Sequence, residues 1–225
     1  PTIILLIEDN PADADLARRG ADRFGAVGQH PHRARCPDLR GLTHSGSRGR
    51  GRSGPGGTVR SMQAWILDES PGSYRYGEIA DPAVGPDDVR VRPVTSALNH
   101  MDLWVTKGKP RPHLPHVPGC DVAGVVEAVG SHVTGVAVGD EVVVNPAVSP
   151  LDMVVAHGDD APMYPGFQIV GEQRWGGHGE LVTVPARNVV PKPVGRTWAE
   201  CAAFPLATLT AYRMLRRARV AAGES

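Results

Sequence analysis

Cysteine is scarce: the 225 residues hold three, Cys36, Cys120 and Cys201. Three scattered thiols cannot staple a small fold, which leaves a reducing cytoplasm as the expected compartment. No apolar run approaches the roughly 20 residues that a membrane-spanning helix needs. The first residues also lack the charged, apolar, then small-residue order of a secretory signal. Aromatic residues make up only 5% of the chain, and none interleaves the arginines Arg48, Arg50 and Arg52. A stretch without stacking platforms makes a poor nucleic-acid arm, so a solvated linker is the better reading there. No Gly-x-Gly-x-x-Gly loop follows a strand and opens a helix, so the fingerprint of a dinucleotide-binding fold is missing from this chain.

What is present falls into unequal pieces. The net charge of zero hides a split: residues 1–60 hold ten arginines, no lysine and six acids, and residues 61–225 hold fourteen basic and eighteen acidic side chains. Such asymmetry points to two segments of different origin or role. Residues 1–24 read as a strand from Ile3 to Ile7, a turn, and a helix entered through Asn10 and Pro11. The acidic pair Glu8–Asp9 resembles the opening of a response-regulator receiver domain, although nothing downstream supplies the remaining strands or the phosphorylated aspartate. An orphan strand–helix fragment is the preferred reading. Residues 25–61 are rich in Arg, Gly, Ser, His and Pro without apolar periodicity, and are expected to be a disordered linker. The abrupt change after Phe24 also raises the hypothesis of a frame error in the gene. Met62 looks like a second beginning, with a strand from Gln63 to Leu67, a turn over Glu69–Ser73, and an alternating strand from Val89 to Val94.

The most informative stretch is 114–145, LPHVPGCDVAGVVEAVGSHVTGVAVGDEVVVN. Two valine-rich strands, Asp121–Val129 and Glu141–Val144, flank Gly130, Gly135 and Gly139, which is turn chemistry. Gly124 leaves room for a neighbouring backbone, and only Glu127 interrupts the second apolar face. The run P-x-x-P-G-x-D-x-A-G-x-V-x-x-V-G, followed by V-G-D-E-V, closely resembles the barrel domain of medium-chain dehydrogenase/reductases. That superfamily contains zinc-type alcohol dehydrogenases and zinc-free quinone reductases. The resemblance covers nearly three quarters of the chain. It implies a mainly β, GroES-like barrel with short helices over residues 62–225, behind the 1–24 fragment and the 25–61 linker, and without the Rossmann domain.

The resemblance also places candidate site residues. Leu98 to Lys109 should form a short helix ending at Gly108. Zinc alcohol dehydrogenases carry a cysteine ligand at the position of Asn99, whereas Asn99, Asp102 and Trp104 are similar to the Asn-x-x-Asp-x-Tyr of zinc-free quinone reductases. There these residues line the nicotinamide pocket, so Asn99, Asp102 and Trp104 are the expected catalytic residues. Asn99 and Thr210 are the expected cofactor contacts. A plainer reading makes Asp102 a local hydrogen-bond organiser and Trp104 core packing. The other catalytic-zinc positions hold Cys120, expected to be buried and inert, and Leu206. The four structural-zinc positions hold Pro150, Met153, Ala156 and Tyr164. A tetrahedral site needs four N, S or O donors, so no zinc is expected. His157, Asp159 and Asp160 remain in that lobe and read as solvated.

Glu180 to Val184 and Asn188 to Pro191 resemble the closing strands. Thr197–Glu200 is a capping box, and Pro205 should divide the C-terminal segment into two helices, the second ending in a solvated cluster of Arg213, Arg216, Arg217 and Arg219. The family's chemistry is hydride transfer between NAD(P) and a carbonyl, alcohol or quinone. The chain reaches Ser225 where the family's dinucleotide domain begins, so it is expected to bind neither NADH nor NADPH and to be inactive alone. The alternative is a non-catalytic barrel remnant or binding module. A small-molecule substrate and a homodimer are implied for a full-length protein, with no membrane partner and no nucleic acid.

Overall fold

The computed structural model describes residues 3–6, 60–220 and 223. Most of the 1–24 fragment and of the expected linker over 25–61 lies outside these residues, except that the linker's last residue, Ser61, already opens a strand. Strand β1 (Ile3–Leu6) is followed by β2 (Ser61–Ile66), β3 (Arg75–Ala80) and β4 (Asp88–Leu98). Helix α1 (His100–Thr106) precedes β5 (Asp121–Val129), β6 (Glu141–Val144) and β7 (Ala147–Val148). Helix α2 (Leu151–His157) leads through a 3-10 turn at Gly158–Met163 to β8 (Gln168–Ile169), β9 (Val182–Pro185) and β10 (Val189–Pro191). Helices α3 (Trp198–Ala203) and α4 (Pro205–Ala218) complete the order. Among the described residues no helix is long and apolar enough to cross a membrane.

The expected strands at 121–129 and 141–144 form with the bounds that their valines and flanking glycines set. Strands β9, β4, β5, β6 and β10 run as one antiparallel ladder, and β1 joins β4 in parallel through Ile3↔Thr95 to Leu6↔Leu98. Hairpin β2–β3 and the short pair β7–β8 are separate sheets. The protein is thus mainly β, as expected, but the strands do not close into a continuous barrel among the described residues. Isolated bridges Ala64↔Gly179 and Leu67↔His116 tie β2 and its flank to the rest instead.

The main core is built from valine alone: eleven buried valines from β4, β5, β6, β7, β9, β10 and residue 170 pack together. Branched side chains lose little freedom on a pleated surface, which explains why one residue type can fill it. At Gly124 a Cβ would overlap the Arg92 carbonyl oxygen and sit 2.9 Å from Pro93 Cα, so the close approach expected of that glycine is real. Glu127 interrupts the apolar face because Arg90 on β4 reaches it at 2.6 Å.

Candidate active site

Asn99 leaves β4 in extended backbone and caps α1. Its Oδ1 accepts the Met101 N–H at 3.2 Å, while Asp102 Oδ2 accepts the Asn99 N–H at 2.8 Å. This reciprocal arrangement satisfies helix donors that would otherwise be orphaned. Gly108 follows the C-cap with φ of +70°, the left-handed conformation that ends a helix.

The two capping side chains reach well beyond the helix. Asp102 is 2% exposed, and its Oδ1 accepts the Gly119 N–H at 3.1 Å. Asn99 Nδ2 donates to Asp121 Oδ2 at 3.1 Å. Asp121 Oδ1 accepts the Leu206 N–H at 2.6 Å, in the first turn of α4, and the Cys120 thiol donates to Asp121 Oδ2 at 3.1 Å. One network therefore fastens α1, the 119–120 turn, the head of β5 and the start of α4. Burial raises the Asp121 carboxyl above its ordinary value, against the pull of the Leu206, Cys120 and Asn99 donors. Burial and the neighbouring carboxylates push the Cys120 thiol well up, so it stays protonated and inert.

Two histidines that the sequence reading passed over complete the cluster. His178 Nδ1 meets Ser96 Oγ at 2.9 Å, and its Nε2 lies 3.5 Å from Asp102 Oδ2, buried and without a hydrogen bond. His116 Nε2 donates to the Gly171 carbonyl at 2.9 Å, and burial pulls its pKa below the ordinary imidazole value. The signal for His178 lies in its neighbours. Gly177 has no room for a Cβ beside Val122, and a Cβ on Gly179 would sit 2.9 Å from Ala64 Cβ. A histidine between such glycines is being packed tightly from both sides.

The four expected site residues divide. Asn99 and Asp102 belong to one network, and Asp102 is the hydrogen-bond organiser of the plainer reading. Trp104 is 51% exposed, which corrects its reading as core packing; its ring stands 5.4 Å from that of His100. Thr210 is exposed on α4, and its Oγ1 donates to the Leu206 carbonyl at 2.9 Å.

The residues at the zinc-ligand positions do not fit zinc. The Asn99 amide is engaged at both ends, Cys120 is a protonated donor, and Leu206 offers only the backbone N–H that Asp121 already takes. Among the described residues no group of three or more His, Cys, Asp or Glu could hold a metal ion. In the lobe, Tyr164 stacks on His157 with ring centroids 3.5 Å apart. Asp159 and Asp160 are not merely solvated: they pair with Arg216 at 3.6 Å and Arg217 at 2.6 Å. All four side chains stay more than half exposed, so they are solvated as expected, and the pairing across the lobe is an addition to that reading.

Comparison with known proteins agrees with this architecture. Residues 85–194 match the alcohol dehydrogenase GroES-like domain. The segment is a GroES-like domain of the medium-chain dehydrogenase/reductase superfamily. The chain is 36% identical over 150 residues to a 2-methylene-furan-3-one reductase of Solanum lycopersicum, covering 65% of this chain and 34% of that one. It is 31% identical over 172 residues to the chloroplastic NADPH-dependent alkenal/one oxidoreductase of Arabidopsis thaliana, covering 74% and 40%. A solved NAD-dependent alcohol dehydrogenase superposes with a TM-score of 0.66 at 40% identity, over 72% of this chain and 49% of that one. The chain spans about a third to two fifths of the length of these curated relatives. Nothing in these matches supports the receiver-like reading of residues 1–24.

Proposed function

We propose that residues 62–225 supply the substrate-side domain of a zinc-independent, NAD(P)-linked oxidoreductase whose substrate is a conjugated carbonyl compound: an enal, enone or quinone. The observation that carries this reading is how the donors at the zinc-ligand positions are already used. Asn99, Cys120 and Leu206 are all bonded to Asp121, so no Lewis acid is held there to polarise a simple alcohol. A conjugated carbonyl needs none. It accepts a hydride at its β-carbon, the electron pair moves toward oxygen, and hydrogen-bond donors suffice to hold the developing charge. The relatives' names, a furanone reductase and an alkenal/one oxidoreductase, support the same substrate class.

In this reading Asn99 and Thr210 face the nicotinamide end of the cofactor, which supplies the hydride when bound. Asp102 fixes the Asn99 backbone, and Trp104 forms an exposed wall of the pocket. The chain carries no fingerprint loop for the pyrophosphate, and productive positioning is worth roughly 7–11 kcal/mol in favourable cases. The 225 residues alone are therefore expected to bind neither NADH nor NADPH. The domain is read as starting at Met62, although β1 (Ile3–Leu6) adds to its sheet and β2 already begins at Ser61. The enzyme is expected in the cytoplasm, as a homodimer when full-length.

The test joins a dinucleotide-binding domain to the C-terminus and follows NADPH oxidation with but-3-en-2-one. Turnover should appear and should survive a chelator, while the unextended chain gives flat calorimetry with both cofactors. Alcohol oxidation that a chelator abolishes and added zinc restores would overturn the reading.

A further inference from the structure

A cleft of about 650 Å3 opens between the lobe turn at 158–163 and α4, inside the range of roughly 300–1,000 Å3 typical of small-ligand sites. It shares none of Asn99, Asp102, Trp104 or Thr210. Its lining carries Arg187, Arg213, Arg216, Arg217 and Arg219, opposed only by Asp159 and Asp160, which leaves a surplus of three positive charges.

A structural role accounts for part of this set. Arg216 and Arg217 occupy the last turn of α4 and Arg219 its C-cap, where cations offset the negative pole of a helix. The two lobe aspartates pair with Arg216 and Arg217 only. That account does not reach Arg213, which lies a turn earlier, is half-buried, and has no ion pair among the described residues. Nor does it reach Arg187, which comes from the 3-10 turn at Ala186–Asn188. Arg187 Nη2 donates to the Ser149 carbonyl at 2.6 Å, which fixes the guanidinium and leaves its other N–H groups for a ligand. Cations gathered in a concave site without matching acids repel one another and lose hydration, and an anion in the cleft offsets both costs.

We propose that this cleft binds the phosphate or pyrophosphate group of a small molecule, with Arg187 and Arg213 as its principal contacts. The planar guanidinium fork matches phosphate oxygens two at a time. Val154 and Leu209 in the lining offer an apolar wall for the organic part of such a ligand. The site goes beyond the proposed oxidoreductase function and does not depend on it.

Calorimetry of the 225-residue chain with inorganic pyrophosphate at low salt tests the site. Binding should be measurable and should weaken as salt is raised. It should fall about tenfold or more in R187Q and in R213Q, the loss expected of one charge-assisted contact. Near-UV circular dichroism checks that each variant folds. The double variant D159N/D160N, which frees two paired arginines, should bind more tightly than wild type. ADP binding tighter than pyrophosphate identifies a nucleotide-like source; equal affinity identifies the inorganic group alone, and either upholds the site. No pyrophosphate binding, affinity unchanged in both arginine variants (an adventitious ion only), or capture of polyglutamate without pyrophosphate would each overturn the proposal.

Discussion

Asp102 and Asp160 each hold a neighbouring segment in place, yet Asp102 is 2% exposed and the Asp160 side chain is 62% exposed. Around Asp102 the partners are backbone N–H groups of Asn99 and Gly119, with His178 close by. Around Asp160 the partner is a single arginine, itself 54% exposed, and water competes for every donor. The contrast separates two uses of charge. A buried carboxylate is worth the donors that it alone satisfies, whereas an exposed one contributes only the small margin left after screening.

The largest break in that contrast comes from Asp102→Ala. The buried Gly119 N–H and the half-buried Asn99 N–H lose their acceptor and α1 loses half its capping box, so the variant should be destabilised by about 3–5 kcal/mol. Urea unfolding followed by circular dichroism reads this directly. A loss below about 1 kcal/mol would mean that water enters the cavity and takes over both donors.

Asp121 sharpens the comparison, because its charge is both useful and costly. It caps the first turn of α4 at Leu206, yet burial raises its pKa. Asp121→Ala orphans the Leu206 N–H and should cost about 2–3 kcal/mol. Asp121→Asn keeps an acceptor oxygen and should cost less. A raised folded-state pKa contributes stability that is fully present below the ordinary carboxyl value of 3.8 and is lost as pH rises through the folded value. The stability gap between wild type and D121N should therefore shift in favour of the variant as pH climbs from about 4 toward neutrality. A gap moving the other way would show that the Leu206 donor, not burial, controls the carboxyl.

How much of this was legible depended on how local the cause was. The capping box at Thr197–Glu200, the helix end at Gly108 and the division at Pro205 follow from chemistry within a few residues, and they form as read. The close approach at Gly124 was legible because a glycine inside a valine strand gives up side-chain packing, and a neighbouring backbone takes the space. His178 was not, since its partner Ser96 lies 82 residues away and only the flanking glycines hinted at tight packing. The pairing of Arg217 with Asp160 spans 57 residues, and two solvated charge clusters in a sequence carry no mark of meeting. The open ladder was hidden too, because alternation shows which face of a strand is buried and not whether the last strand reaches the first.

His116 lies between the two regimes, being 1% exposed but holding one side-chain hydrogen bond. Its pKa is lowered by burial, so its neutral form contributes stability that is present above the ordinary value of 6.5 and is lost as pH falls toward the folded value. Wild type should lose denaturant stability on acidification below 6.5 more steeply than His116→Gln, whose amide can still donate to the Gly171 carbonyl without titrating. Parallel pH profiles would remove His116 from the account.

The smallest effect belongs to the exposed seam. Arg217 and Asp160 meet at 2.6 Å, a distance that in a dry interior would signal a strong ion pair. Both side chains stay more than half exposed, so most of the Coulomb energy is screened and the entropy lost in fixing two rotamers offsets part of the remainder. The coupling energy from D160N, R217Q and the double variant should therefore lie between about 0 and 1 kcal/mol. It should shrink as salt is raised toward about 1 M, where the Debye length is roughly 3 Å. The Asp102→Ala loss should hardly change over the same salt range, since no counter-ion reaches a residue that is 2% exposed. If the Arg217–Asp160 coupling instead exceeded about 2 kcal/mol and resisted salt, the seam would behave as a buried interface. Arg217 would then be committed to the fold, leaving an anion in the cleft to Arg187 and Arg213.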